Sequence, residues 1–437
     1  MLLFHLSDIH FRLGEVGTAM DPNHHLRNKL LIDAEQMCQR LGAAPTVVMI
    51  SGDIAYAGEK REYDFALQWL EELCRKCNTT TASVFVIPGN HDVVRSVTSR
   101  RVVKALHHEI KGTDNIYLDS TLRDMLTDTE SARLLYESIE TYNFFAQQFF
   151  CDILPPERTI VRRDLTLNDG SILRLSGLNS SFVSSAEDKP GDLFVDPASF
   201  QITRERGVEH VVLCHHPYSW LRQGDALRDH IHDEARIHLF GHEHTNRIEL
   251  GRDFLSVAAS AAHPDRVDRG WEPGYNIIQA EVLGTDDQRY LDVRVHVRIW
   301  QARPGQFVAK KDRTGDDVFH QNIKLDFWKS NAILETIVEN DVSVKSSISD
   351  MDTDQSIPEL ARSDPMNTLR EISIRFFKLT LSQKSAIAGK LGLIEEDDIN
   401  QPDFERFRRV FIRARERGLI EVLDSEITSM NQKQPSH

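Results

Sequence analysis

Five short apolar runs recur between Leu2 and Phe240: Leu2–Leu6, Thr46–Ile50, Ser83–Ile87, His210–Cys214 and Arg236–Phe240. Each is about five residues long and rich in Val, Ile, Leu or Phe, as buried strands are. The intervals between the first three carry helical spacing instead. Leu26, Leu30, Ala34, Met37 and Leu41 share one face, as do Phe65, Trp69 and Leu73 in the next interval. Strand and helix in alternation predict βαβ units, whose chemistry gathers in loops at the strand carboxyl ends. From about Ser96 to Phe150 the pattern is helical and interrupts the series. Strands resume at Ile172–Leu175 and, after Phe240, at Tyr275–Val282 and Leu291–Ile299, where alternation predicts a second sheet. Asn340–Asp364 is rich in Ser and Asp and poor in large apolar residues, which predicts a linker, and Asn367–Ser425 returns to helix.

Composition narrows the class. Of 437 residues, 40% are hydrophobic and 27% charged, the balance of an ordinary globular chain long enough for two or three domains. No run reaches the roughly 18 apolar residues of a membrane helix. The N-terminus enters a strand at once, without a basic region or apolar signal core, so a cytoplasmic location is expected. Five scattered cysteines do not describe a disulfide framework, and Cys74 and Cys77 lack a second pair to complete a zinc site. The formal net charge of −15 argues against whole-surface affinity for nucleic acid, leaving local basic patches or bound cations.

Each of the five runs ends in a polar cluster: Ser7-Asp8-Ile9-His10, Ser51-Gly52-Asp53, Pro88-Gly89-Asn90-His91-Asp92, His215-His216-Pro217 and Gly241-His242-Glu243-His244. Asp, His and Asn suit hard or borderline divalent ions better than a thiolate zinc site. A carboxylate can bridge two ions while imidazoles fill terminal positions, and two ions about 3.5–4 Å apart can clamp a phosphate. Taken singly, such residues are more often caps or hydrogen-bonded surface groups. Five in order after five strands outweigh that reading.

In that order, DxH, GD, GNHD, an H-P cluster and GHxH resemble the calcineurin-like metallophosphoesterase superfamily, over roughly residues 1–325. The resemblance implies an α/β fold, a four-layer β-sandwich flanked by helices, and a metal-dependent phosphoesterase acting through a metal-activated hydroxide. It further implies that Asp8, His10 and His244 hold one ion, Asn90, His215 and His242 the other, and that Asp53 bridges them. Manganese is the leading metal, with Fe, Zn, Ni or Co as alternatives. His91 is then the residue that touches substrate, and Asp92 orients it through a hydrogen bond. His216 either sits beside the metals or bonds the turn. Tyr56 resembles a tyrosine ligand of purple acid phosphatases, but with His10 present it is expected to pack. His24, His25, His107 and His108 are expected on the surface or on helices.

The substrate class stays open among a phosphodiester of nucleic acid, a cyclic nucleotide and a phosphoprotein. Arg95, Arg100, Arg101 and Lys104 lie just behind His91 and could steer a phosphate backbone, or form a solvated helix face. The C-terminal segment resembles effector-associated, death-fold-like adaptor domains of bacterial conflict and signalling systems. That implies docking to a regulator or NTPase, or self-association, and Arg406, Arg409, Arg413 and Arg417 are expected to meet acidic surface on the other chain; a helical cap on the catalytic domain and a nucleic-acid arm are the alternatives. The favoured reading is a nuclease-type effector, and the non-enzymatic one an adaptor working through its helices. The resulting boundaries are 1–325 for the catalytic domain with a helical insertion at 96–150, 326–366 for the linker, 367–425 for the helical domain and 426–437 for a tail.

Overall fold

In the computed structural model, which describes residues 1–264, 271–329 and 365–432, all five apolar runs are buried strands. β1 (Leu2–Leu6), β2 (Val47–Ser51) and β3 (Val84–Ile87) lie side by side and parallel. Helices α1 (His24–Leu41) and α2 (Lys60–Lys76) connect them and bury the predicted faces, including Leu26, Leu30, Ala34, Trp69 and Leu73. The insertion then runs through α3 (Arg95–Thr98), α4 (Arg101–Gly112), α5 (Leu118–Thr127), α6 (Thr129–Tyr136) and α7 (Glu140–Ala146). His107, expected among surface or helix residues, is buried in α4.

The second sheet is made by β4 (Ile160–Thr166), β5 (Ile172–Leu178), β6 (Val208–Cys214), β7 (Ala235–Phe240), β8 (Arg247–Leu250) and β9 (Leu255–Ala258), with α8 (Gly224–Glu234) between β6 and β7. Its order is β4-β5-β6-β7-β9-β8, parallel from β5 to β9. The late strands β10 (Gly274–Leu283), β11 (Tyr290–Ala302), β12 (Gly305–Ala309) and β13 (Phe319–Lys324) do not form a sheet of their own, contrary to expectation. β10 pairs antiparallel with β1, Leu3 opposite Ile278, and the others extend the first sheet from there. Alternation records that one face of a strand is covered; it says nothing about which strand fills its open edge. The two sheets pack face to face as a mixed α/β sandwich, and Gly177 on β5 lies so close to β3 that a side chain there would overlap Ile87 and crowd Phe85.

The segment expected to be catalytic runs a little past residue 325. Arg289 donates to the Asp326 carbonyl at 2.8 Å and lies over the Trp328 ring. Of the expected linker, residues 330–364 lie outside the described residues. Helices α9 (Pro365–Lys378), α10 (Leu381–Lys390), α11 (Asp403–Glu416) and α12 (Ile420–Gln432) then enclose a separate core of Phe376, Phe407, Val410, Phe411 and Leu423. α12 continues through the expected start of the tail, because Ile427 is fully buried in that core.

This helical unit packs on its own catalytic domain. Phe404 meets Phe144 and Phe411 meets Phe150, each with ring centroids 5.7 Å apart. Arg158 bridges Asp152 at 3.0 Å and Glu405 at 2.6 Å, and Arg408 reaches the other Asp152 oxygen at 2.6 Å. Arg406, Arg409, Arg413 and Arg417, expected to face another chain, are instead engaged within the unit. Arg413 pairs with the buried Asp398, Arg417 with Glu395 at 2.6 Å, Arg409 with Glu405 at 2.7 Å and Arg406 with Asp403 at 2.9 Å. A helix read alone shows a row of cations; Arg406 and Arg409 find partners in the helix's own first turn, and Arg413 and Arg417 in the acidic turn before it.

Candidate metal centre

The carboxyl ends of β1, β2 and β3 meet those of β6 and β7 at one rim of the sandwich, and the five polar clusters converge there. Backbone bonds knit them: Asp8 N–H donates to Gly52 O at 3.1 Å, His10 N–H to Asp53 O at 3.0 Å and Gly241 N–H to His215 O at 3.0 Å. Asp8, His10, Asp53, His242 and His244 all hold left-handed backbone, with φ between 52° and 70°. Non-glycine residues rarely adopt it, and each such residue costs about 1–3 kcal/mol, which concentrates at functional sites. Gly89 is required by proximity, since a Cβ there would overlap the Asp53 carboxylate and backbone nitrogen.

The side chains form two joined groups. In one, Asp8 Oδ1 faces His244 Nε2 at 3.3 Å and His10 Nε2 at 4.0 Å. In the other, Asn90 Oδ1 lies 3.0 Å from both His215 Nε2 and His242 Nδ1. Asp53 Oδ2 stands between them, 3.3 Å from His10 Nε2 and 3.3 Å from His215 Nε2. Asp8–His10–His244 and Asp8–Asp53–His215 each bring three donor atoms within reach of a single ion. Asp8 Oδ1 is buried without a hydrogen-bond donor, the condition a cation would relieve. Burial pushes both carboxylates up, yet the nearby imidazoles outweigh it and hold Asp8 and Asp53 below the usual range. Against its own burial, His215 is raised to about 9, chiefly by Asp53. Burial lowers His242 to about 4, with the charge of His215 adding. Two charged, buried carboxylates among oxygen and imidazole donors fit a pair of divalent cations.

His91 stands beside the cluster, its backbone N–H donating to Asp53 Oδ1 at 2.7 Å. Its ring is oriented by Nδ1 donating to the Tyr56 carbonyl at 2.8 Å, and Asp92 makes no bond to it. Asp92 has a different task. Its buried carboxylate accepts from Gly89 N at 2.9 Å, Ala55 N at 2.9 Å, Ile54 N at 3.3 Å and Tyr63 Oη at 2.9 Å. It therefore ties the loops after β2 and β3 together. Tyr56 packs as expected, between the His91 ring and the Arg12 guanidinium. His216 is buried, its Nδ1 2.8 Å from Ser180 Oγ and its ring 4.5 Å from that of His242.

Three residues went unnoticed in the sequence. Glu62, buried at the start of α2, accepts from Tyr56 N, Ala57 N and Glu59 N and fixes the loop beyond Asp53; its signal was the Glu59/Glu62 capping box. Arg12 and His263 join His10, Tyr56, His91 and His244 around a cleft of about 350 Å³. His263 Nδ1 donates to Ile9 O at 2.7 Å, and its buried Nε2 has no partner among the described residues.

A family model described as calcineurin-like phosphoesterase matches residues 1–246, more than half of the chain. The chain belongs to the calcineurin-like phosphoesterase family. Membership implies a pair of divalent metal ions, for which the Asp/His groups provide donors. A second model, for a GTPase-associated adaptor domain, matches residues 368–429. The metallophosphoesterase-like protein YydB of Bacillus subtilis is 21% identical over 279 residues, covering 60% of this chain and 53% of YydB, so the chain spans about half the length of that relative. Among solved structures, vacuolar protein sorting 29 from Cryptosporidium parvum has a TM-score of 0.33 at 10% identity, covering 74% of this chain and 98% of that one. An archaeal phosphodiesterase has a TM-score of 0.26 at 12% identity, covering 64% and 93%. Among the described residues no helix is long and apolar enough to cross a membrane.

Proposed function

We propose that this calcineurin-like phosphoesterase hydrolyses phosphodiester bonds, nucleic acid being the leading substrate class, with two divalent ions of which manganese is the first candidate. The observation that carries this reading is Asp53 Oδ2, set 3.3 Å from a ring nitrogen of each group. Asp8, His10 and His244 would hold one ion, Asn90, His215 and His242 the other, with Asp53 spanning both. Bound there, such ions supply Lewis acidity, neutralising phosphoryl charge and lowering the pKa of a water. The chain's own residues then position and transfer protons. With Nδ1–H committed to Tyr56 O, His91 keeps Nε2 as the atom that meets the phosphoryl oxygen or hands a proton to the leaving group. Asp92 and Glu62 hold the loops that set His91 and Asp53, and Arg12 places a cation at the cleft wall.

Two observations favour a polyanionic substrate. Arg95, Arg101 and Lys104 are exposed behind His91, and Arg95 is near enough to help lower the His91 pKa, after burial. Arg100 does not contribute, being held by Glu137 at 2.8 Å. The match to a GTPase-associated adaptor domain supports a cytoplasmic nuclease-type effector of a bacterial defence or signalling system, bound through its C-terminal unit to a regulator or NTPase, or to itself. A panel of single- and double-stranded DNA, RNA, cyclic nucleotides, a phosphopeptide and bis-p-nitrophenyl phosphate, assayed in Mn, tests the choice. Cleavage of DNA or RNA is expected; efficient turnover of phosphopeptide or cyclic nucleotide with nucleic acid left intact contradicts it.

A further inference from the structure

A cavity of about 380 Å³ lies where the C-terminal helices meet β4 and shares no lining residue with the cleft lined by His91. Its walls come from both units: residues 149–163 on one side, α9 and α11 on the other. Six guanidiniums line it, those of Arg158, Arg162, Arg163, Arg370, Arg408 and Arg415, against one carboxylate, Asp152. In a chain of net charge −15 this is a concentrated reversal of sign.

The arginines divide by partner. Arg163 is spent on carbonyls, including Val84 O at 2.8 Å and Phe149 O at 3.0 Å. Arg158 and Arg408 share Asp152, Arg158 also using Glu405, and the Nε atom of each is buried without a partner. Arg162 and Arg415 are exposed and, among the described residues, their guanidiniums make no hydrogen bond or ion pair. Burial, with Arg158 adding, lowers the Arg408 pKa against the pull of Asp152 and Glu405. Between these cations run the rings of Phe150 and Phe411 and the side chain of Ile412.

We infer that this cavity binds a small phosphorylated ligand with a flat apolar body, a nucleoside phosphate, clamped between the catalytic and C-terminal units. Guanidinium forks recognise phosphate oxygens in pairs, and Arg162 and Arg415 are placed to close on them from opposite walls. The half-buried Phe150 ring, backed by Phe411, offers a face on which a base can lie. The volume is in the range of small-molecule sites, about 300–1,000 Å³. Because one wall belongs to each unit, the ligand stabilises their docked arrangement by mass action.

The test is calorimetric titration of the full-length chain with adenosine or guanosine diphosphate, in EDTA so that the metal centre neither holds nor consumes the probe. One site per chain is expected, weakened at least about tenfold in R162A/R415A, which removes two charged hydrogen-bonding partners. I412E, a surface change that breaks no hydrogen bond, should weaken it comparably by placing a carboxylate in the cavity. Pyrophosphate, which lacks the flat body, should bind more weakly than either nucleotide. Absence of saturable binding at millimolar nucleotide, affinity unchanged in both variants, or preference for an acidic peptide over nucleotides would each overturn the assignment. None of these outcomes depends on hydrolysis, so failure here is distinct from failure of the proposed activity.

Discussion

Asp152 is the most informative residue outside the metal centre, because its carboxylate pairs with Arg158 in its own unit and with Arg408 across the junction of the two units. Its side chain is fully buried, while those of Arg158 and Arg408 are 21% and 16% exposed. Removing one member of a buried ion pair typically costs about 3–5 kcal/mol, since the other charge is left desolvated. Partial exposure, and the Glu405 contact that Arg158 retains, reduce the expected cost of Asp152→Ala to about 2–3 kcal/mol. For a cooperative unit the size of α9–α12 that corresponds to a fall of roughly 10 °C or more in its transition. Scanning calorimetry reads the shift, and hydrogen exchange over residues 140–165 and 403–416 locates it. Arg408→Met supplies the control: with the arginine gone, Asp152→Ala should cost at least about 1 kcal/mol less than in wild type. A shift below about 0.5 kcal/mol, or strictly additive single and double variants, would show that the ion pairs do not hold the units together.

His91→Ala should keep its full metal content and lose on the order of 10²–10⁴-fold in turnover of bis-p-nitrophenyl phosphate, the usual worth of a positioned acid; loss of metal with proportionate activity would reverse the assignment. Gly89→Ala drives a methyl group into Asp53, so it should cost about 1–3 kcal/mol and weaken metal binding together, read by thermal melts with and without Mn; unchanged binding would refute the close-approach argument. Lys384, buried near the Phe377 and Phe407 rings, is pushed down from 10.5 to about 8, mainly by burial. The native state therefore sheds this proton first, and stability should rise with pH between about 8 and 10.5. Lys384→Met should stabilise the helical unit by up to about 3 kcal/mol at pH 7, a gain that fades across that window in denaturant melts; a pH-independent effect would contradict it.

The rim of the sandwich was legible because its signal is local. Each cluster directly follows its strand, as in Leu2–Leu6 before Asp8 and Ala235–Phe240 before His242, so reading the strands also placed the chemistry. What sequence spacing could not convey were partners distant along the chain. The alternation of Tyr275–Val282 showed one covered face, but not that β10 would close the edge of β1. The arginines of α11 showed positive charge, but not that Glu395 and Asp398 would turn back to neutralise Arg413 and Arg417. Asp92 follows His91 directly, which invited a hydrogen bond between them. The turn instead aims its carboxylate inward, at Ala55 and Tyr63. His263 carried no motif at all; only its approach to Ile9 brings it to the cleft.

In the proposed function one carboxylate, Asp53, joins two metal sites. Elemental analysis of the chain after saturation with Mn and removal of free ion tests it most directly, in wild type and in Asp53→Asn. About two ions per chain are expected in the wild type, both bound more weakly in the variant, since each group loses the oxygen it shares. At most one ion per wild-type chain, or an Asp53→Asn chain that retains two with unchanged affinity, would contradict it.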